Sequence, residues 1–227
     1  PRLLPRMRQL VQLRDDGGFT LNLRFFRHHR EGVDMTFRDD TPQLGRLYSR
    51  ALCDLLGAPR PPGAGIEQEE YFCDVAASLQ ALLTECVLHI CRHLQRTTGQ
   101  KRLCLAGGVA LNCVANGAIL DHTSFSELFV QPAAGDNGTS IGAALWVEHQ
   151  ILRRPRRFVM RHAYTGPSFD GAACQQALLQ LSPEAQASLQ FDELDDAALC
   201  ERAAAAIANG QVLGWFAGAM EFGPRAL

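Results

Sequence analysis

Two short turns carry the residue types best suited to chemistry. In the first, Ala106-Gly107-Gly108 follows an apolar run, Leu103-Cys104-Leu105, and precedes a helix-like pattern over residues 109–120. Glycine has no Cβ, so such a turn lets backbone approach a ligand, and the helix behind it offers free N–H groups to a phosphate. Asn112, one turn into that helix, can bond a sugar or a phosphate. No GK[ST] follows the glycines and they do not form GxGxxG, so neither a P-loop nor a dinucleotide fingerprint is present. Close packing of helix on strand is the plainer explanation of the same two glycines. In the second turn, Gly135-Asp136-Asn137-Gly138-Thr139 follows the run Leu128-Phe129-Val130. An aspartate between glycines at a strand end suits a divalent metal or a magnesium–phosphate group. It also suits a helix N-cap, a role Asn137 or Thr139 would fill equally well. A phosphate cradle beside a carboxylate is what a nucleotide–metal site requires. His89 and His93, at i and i+4 with Cys86 ahead of them, have metal-ligand spacing. They flank an apolar stripe with no acidic residue between them, and are expected to be edge-of-core side chains.

The elements that position these turns are legible as patterns. Strand, glycine-bearing turn and helix occur twice within residues 103–145, which makes the chain α/β with ligands expected at the carboxyl ends of its strands. Residues 1–14 alternate basic and apolar, as a short amphipathic helix would. Asp15-Asp16-Gly17-Gly18 is a turn signal, residues 19–26 read as a strand, and residues 33–37 as its partner. His28 and His29 fall between them, in an exposed loop. Residues 43–56 carry a helical stripe ending at Gly57 and a proline-rich spacer over 58–63. Glu67, Glu69 and Glu70 then open a long helix running to about residue 95, with Val75, Leu79, Leu82, Leu83, Cys86, Val87, Ile90 and Leu94 on one broad apolar face. The arginine run at 153–157 reads as a solvated linker. Helices follow at 169–181 and 195–209, then a strand at 212–216.

Composition bounds the partners. The chain has 227 residues, 47% hydrophobic and 20% charged, with net charge −2, so a real core is affordable and no general attraction to nucleic acid or to an anionic membrane is expected. No apolar run of membrane-spanning length is read from the sequence. The cysteines at 53, 73, 86, 91, 104, 113, 174 and 200 form no CxxC pair and most sit among apolar neighbours, the pattern of a reduced, cytoplasmic protein. The chain begins at Pro1 and stops just after the dense stretch Met220-Glu221-Phe222-Gly223-Pro224-Arg225-Ala226-Leu227, and reads as cut from something longer.

The stretches AGGVALNCVANG at 106–117, QPAAGDNGTSIGAAL at 131–145 and GAMEFGPRAL at 218–227 together resemble the O-carbamoyltransferases of nodulation-factor and antibiotic biosynthesis, the NodU/CmcH family. The resemblance takes in residues 19–29, Asp74-Val75-Ala76-Ala77-Ser78-Leu79-Gln80 and the GWF stretch at 214–216. It implies an actin- and sugar-kinase-like (TsaD-like) domain, here residues 1–155, followed by the beginning of a YrdC-like α/β domain, residues 164–227. It implies ATP-dependent transfer of a carbamoyl group from carbamoyl phosphate, through a carbamoyl-adenylate, to a hydroxyl of a sugar or other small-molecule acceptor. A homodimer is compatible with it. By motif, Gly107, Gly108 and Asn112, with Gly135 and Asn137, would hold nucleotide. Asp136 would hold a divalent metal, iron in the first place and magnesium as the other candidate. Glu221 and Arg225 would lie at the carbamoyl-phosphate or adenylate site, where Arg225 suits a forked contact with phosphate. Two departures stand out. The family's HxxxH metal motif belongs ahead of Pro1, so Asp136 would be a lone protein ligand and the chain alone is expected to be inactive. Ala219 also stands where a basic residue is expected. Two alternatives remain at this point: another actin-like phosphotransferase such as a sugar kinase, and a non-catalytic nucleotide-binding module.

Overall fold

The computed structural model of the protein describes residues 1–61, 63 and 70–224, in two compact units, Pro1–Gln131 and Pro132–Leu227. Glu67, Glu69 and the catalytic candidate Arg225 lie outside the described residues. The elements mix helices with small two-stranded sheets, an α/β chain.

In the first unit, both hydrophobic cores are built on one helix, α4 (Glu70–Thr98). Its apolar residues do not form the single broad face that the sequence pattern implies. Leu79 is 54% exposed, and two separate cores sit on the helix. Leu82 belongs to one with Met7, Leu10 and Phe25; Leu88 and Cys91 belong to the other with Leu103, Ile119 and Phe125. Six residues separate Leu82 from Leu88, or about 120° around a helix of 3.6 residues per turn. Burial pushes the Cys91 thiol up from its ordinary value, so it acts as a small hydrophobe. By length and composition α4 is apolar enough to cross a membrane, whereas the sequence reading finds no apolar run of that length. A helix serving a core on either side meets the same test.

The N-terminal segment departs from expectation. The amphipathic helix is only one turn, α1 (Leu4–Met7), followed by a 3₁₀ turn, and β1 (Val11–Leu13) then pairs antiparallel with β2 (Phe19–Leu21). The Asp15–Gly18 turn thus closes a local hairpin, and the expected pairing of 19–26 with 33–37 does not form. Beyond a one-turn helix, α2 (His28–Glu31), β3 (Met35–Arg38) pairs with β4 (Thr41–Leu44), because Asp39 and Asp40 adopt φ of 49° and 58° and close a tight hairpin between them. The helical stripe at 43–56 shortens accordingly to α3 (Arg50–Leu56). His28 and His29 are exposed, as expected, but in that helical turn.

The histidines of α4 hold the first hairpin. His89 Nε2 lies 2.8 Å from the Arg14 carbonyl oxygen, and a Cβ on Gly17 (φ 81°) would overlap the His93 ring. Arg14 bonds the Asp16 carboxylate at 3.1 Å, and with the Gly18 N–H lowers that carboxyl's pKa. The i,i+4 histidine spacing therefore serves docking.

The other end of the unit is a parallel pair, β5 (Arg102–Leu105) and β6 (Glu127–Val130), joined by α5 (Cys113–His122). Parallel neighbours need such a crossover, and α5 seals it with Ala115 and Ile119, both fully buried.

In the second unit, α6 (Thr139–Trp146) runs into a π-helical turn, Val147–Ile151. Helices α7 (Gly171–Leu179), α8 (Pro183–Ser188) and α9 (Asp196–Ala208) are capped by Asp170, Ser182 and Asp195. Among its described residues only Ala133 and Ala134 are buried. The expected strand at 212–216 is absent: Val212 is 98% exposed, and the described residues of this unit offer that stretch no pairing partner. Extended pairing appears instead at residues 218–222, described below.

Candidate functional site

The first turn is built from β5 outward. Gly107 adopts φ 102° and ψ 156°, a conformation essentially confined to glycine. A 3₁₀ turn, Gly108–Leu111, follows, and the helix proper starts at Cys113, later than the sequence pattern implies. Among the described residues, and apart from the immediate chain neighbours, no atom lies within 4 Å of where a Cβ on Gly107 or Gly108 would stand. Close packing therefore does not explain these glycines: Gly107 is required by its dihedrals, and the space over both is open. Asn112 is the N-cap of α5, its Oδ1 accepting from the Ala115 N–H at 3.0 Å. It also forms a reciprocal amide pair with Gln80 of α4, at 2.8 and 3.2 Å. Asn116 Nδ2 clamps the same turn through the Ala110 carbonyl at 2.7 Å. The result is a hydrogen-bonded glycine turn at the N-terminus of a helix, whose N–H groups suit an anionic group.

The second turn belongs to the other unit. Gly135 precedes a 3₁₀ turn, Asp136–Gly138, which leads into α6. None of its side chains caps the helix: Gly138 occupies the N-cap position, and neither Asp136, Asn137 nor Thr139 accepts a capping bond. Instead, Thr139 Oγ1 donates to the Asp136 carbonyl at 2.6 Å and Ser140 Oγ to the Asn137 carbonyl at 2.8 Å. Asp136 is exposed, with Gly135 and Asn137 half-buried beside it. Among the described residues no group of three or more His, Cys, Asp or Glu side chains is placed to hold a metal. Asp136 by itself is thus one ligand, not a metal site.

Gly138 is a residue that sequence reasoning left without a role. A Cβ there would overlap the Ala133 carbonyl oxygen, so the turn closes only over glycine. Gly138→Ala is expected to cost about 1–3 kcal/mol through forced backbone displacement. Circular dichroism melting checks this, and an unchanged midpoint would show that the turn is looser than described.

The Met220 to Gly223 stretch is laced antiparallel onto residues 163–169. Met220 donates to Pro167 O at 2.8 Å, Gly166 to Met220 O at 2.9 Å and Phe222 to Ala163 O at 2.8 Å. Gly166 permits this approach, since a Cβ there would lie 2.9 Å from Met220. Glu221 sits half-buried within this lacing.

Gly107, Gly108 and Asn112 thus share one turn of the first unit, and Gly135, Asp136 and Asn137 share one turn of the second, which also carries Glu221. Gln80 is the other residue missed. It stands on α4, and its contact with Asn112 spans 32 positions, which no local pattern reveals.

A parallel strand pair followed by a glycine turn and a helix N-terminus is an α/β unit, the arrangement in which ligands commonly sit at the carboxyl ends of strands. The chain belongs to the carbamoyltransferase N-terminus family, whose model matches residues 7–145 and so includes both turns. It is 40% identical over 223 residues to an uncharacterized protein of Synechocystis, covering 96% of this chain and 33% of that protein. To nodulation protein NolO of Bradyrhizobium diazoefficiens it is 45% identical over 154 residues, covering 68% of this chain and 27% of NolO. To 3'-hydroxymethylcephem-O-carbamoyltransferase of Streptomyces clavuligerus it is 32% identical over 200 residues, covering 83% of this chain and 34% of that enzyme. The chain spans about a third or less of the length of these relatives.

Proposed function

We propose that this chain is part of an ATP-dependent O-carbamoyltransferase, a cytoplasmic enzyme that moves the carbamoyl group of carbamoyl phosphate, through a carbamoyl-adenylate, to a hydroxyl of a small-molecule or sugar acceptor. The observation that carries the reading is a glycine turn held open at a helix N-terminus, within a chain of the carbamoyltransferase N-terminus family. In this reading residues 1–155 are the C-terminal portion of an actin-like, TsaD-like domain, a division supported by the family match ending at residue 145. Residues 164–227 begin a YrdC-like domain carrying Glu221 and Arg225.

The first turn does the nucleotide's electrostatic work. Backbone N–H groups around Gly107 and Gly108, and the N-terminal end of α5, face phosphate charge without covalent chemistry. Asn112 adds a hydrogen bond from a fixed position. Asp136 supplies one carboxylate toward a divalent metal, iron or magnesium, whose further ligands come from outside the described residues. Bound there, the metal would supply positive charge at that turn.

The test is pyrophosphate release that requires both ATP and carbamoyl phosphate, measured on a polypeptide of the relatives' length containing this chain. Asp136→Ala is expected to lower it about a hundredfold, the scale on which loss of one electrostatic stabiliser acts. Unchanged release removes Asp136 from the metal role. Release that ignores carbamoyl phosphate removes the carbamoyl reading altogether.

A further inference from the structure

The amide network around Asn112 has only one consistent direction. A backbone N–H can only donate, so the atom facing Ala115 N at 3.0 Å is the Asn112 oxygen. That oxygen also receives Gln80 Nε2 at 3.2 Å, while Asn112 Nδ2 donates to Gln80 Oε1 at 2.8 Å. Gln80 Nε2 gives its other hydrogen to Thr84 Oγ1 at 3.2 Å, and Thr84 has already committed its own hydrogen to the Gln80 carbonyl at 2.9 Å. The Asn112 oxygen therefore has both acceptor positions filled, and Gln80 Nε2 both donors. Among the described residues, the remaining capacity of the Asn112 amide is one N–H. All three side chains are half-buried, so water does not readily replace these bonds.

We infer that Gln80 is a positioning residue: it locks Asn112 so that the glycine turn is offered a donor and no acceptor, which selects an anionic oxygen, the phosphate of a nucleotide, over a group that must itself donate. This rests on the nucleotide reading above and sharpens it, since Asn112 taken alone would serve a ribose hydroxyl or a phosphate equally. Gln80 touches no substrate; it acts through Asn112.

ATP titration by calorimetry of a polypeptide of the relatives' length containing this chain tests this, with melting as the control for fold. Gln80→Glu keeps the size of the side chain but cannot donate to Asn112, leaving two oxygens opposed. It is expected to weaken ATP binding about tenfold, the worth of one well-placed bond to a charged group. In an Asn112→Ser background, where serine still caps α5 but offers no amide to orient, adding Gln80→Glu is expected to bring no further loss. Wild-type affinity in Gln80→Glu overturns the inference. So does an equal loss in the Asn112→Ser background, because Gln80 would then act other than through Asn112. A wild-type protein that takes up no ATP overturns the nucleotide reading itself, and this inference with it.

Discussion

Ile119→Ala is expected to lower the stability of the first unit by about 2–5 kcal/mol, a transfer loss plus the cavity left behind. Ile119 is fully buried, in one core with Leu88, Cys91, Leu103 and Phe125. It comes from the one helix that joins β5 to β6, so the void opens beneath the strand pair that carries the glycine turn. The neighbours cannot easily collapse into it, because they are fixed by a helix on one side and a sheet on the other. Urea unfolding followed by circular dichroism measures the shift, and a change below about 1 kcal/mol, the usual cost of a well-tolerated swap, would mean that the core is not packed as described.

The second large effect separates two adjacent glycines. Gly107→Ala is expected to cost about 1–3 kcal/mol, all of it backbone strain, since the φ of 102° is closed to alanine while the space for a methyl group is open. Gly108→Ala is expected to be neutral or to stabilise by up to about 1 kcal/mol, because that residue lies outside the positive-φ region and its added methyl group meets nothing. If a ligand's phosphate seats on the turn, both variants lose affinity while only one loses stability. Melting and ATP titration on the same two samples distinguish these outcomes. Equal stability of the two variants would refute the strained geometry, and full ATP affinity in Gly108→Ala would place the ligand elsewhere.

What could be read in advance divides by range. The strand–turn–helix unit at 103–130 was legible because its signals are local: two short apolar runs, a glycine pair and a helical period between them. The helix at 196–208 was legible for the same reason, with Asp195 as cap and Gly210 after its end. Both hairpins were misread for lack of one rule each. Asp15-Asp16-Gly17-Gly18 is a turn signal, but a turn signal does not say which strands it joins, and Asp39-Asp40 closes its hairpin through positive φ that composition does not announce. The stretch at 212–216 has strand composition, but composition cannot supply a partner, and the backbone bonds go to residues 218–222 instead. At the site, Gly107 and Asn112 were found by type and spacing. The open space over the glycines, the exposure of Asp136 and the part played by Gln80 depend on contacts far apart in sequence.

One helix shared by two cores has a consequence for how the first unit responds to a ligand. Leu82 and Leu88 hang separate clusters from the same backbone, and Ser78, fully buried, binds the Leu3 N–H at 3.1 Å. Fraying of α4 therefore releases the N-terminal hairpin and the parallel strand pair together, as one cooperative block. A nucleotide that binds only the folded turn at 107–112 adds its binding free energy to that whole block. Occupancy of that turn would then be felt as rarer opening of residues 3–25, far from it in sequence.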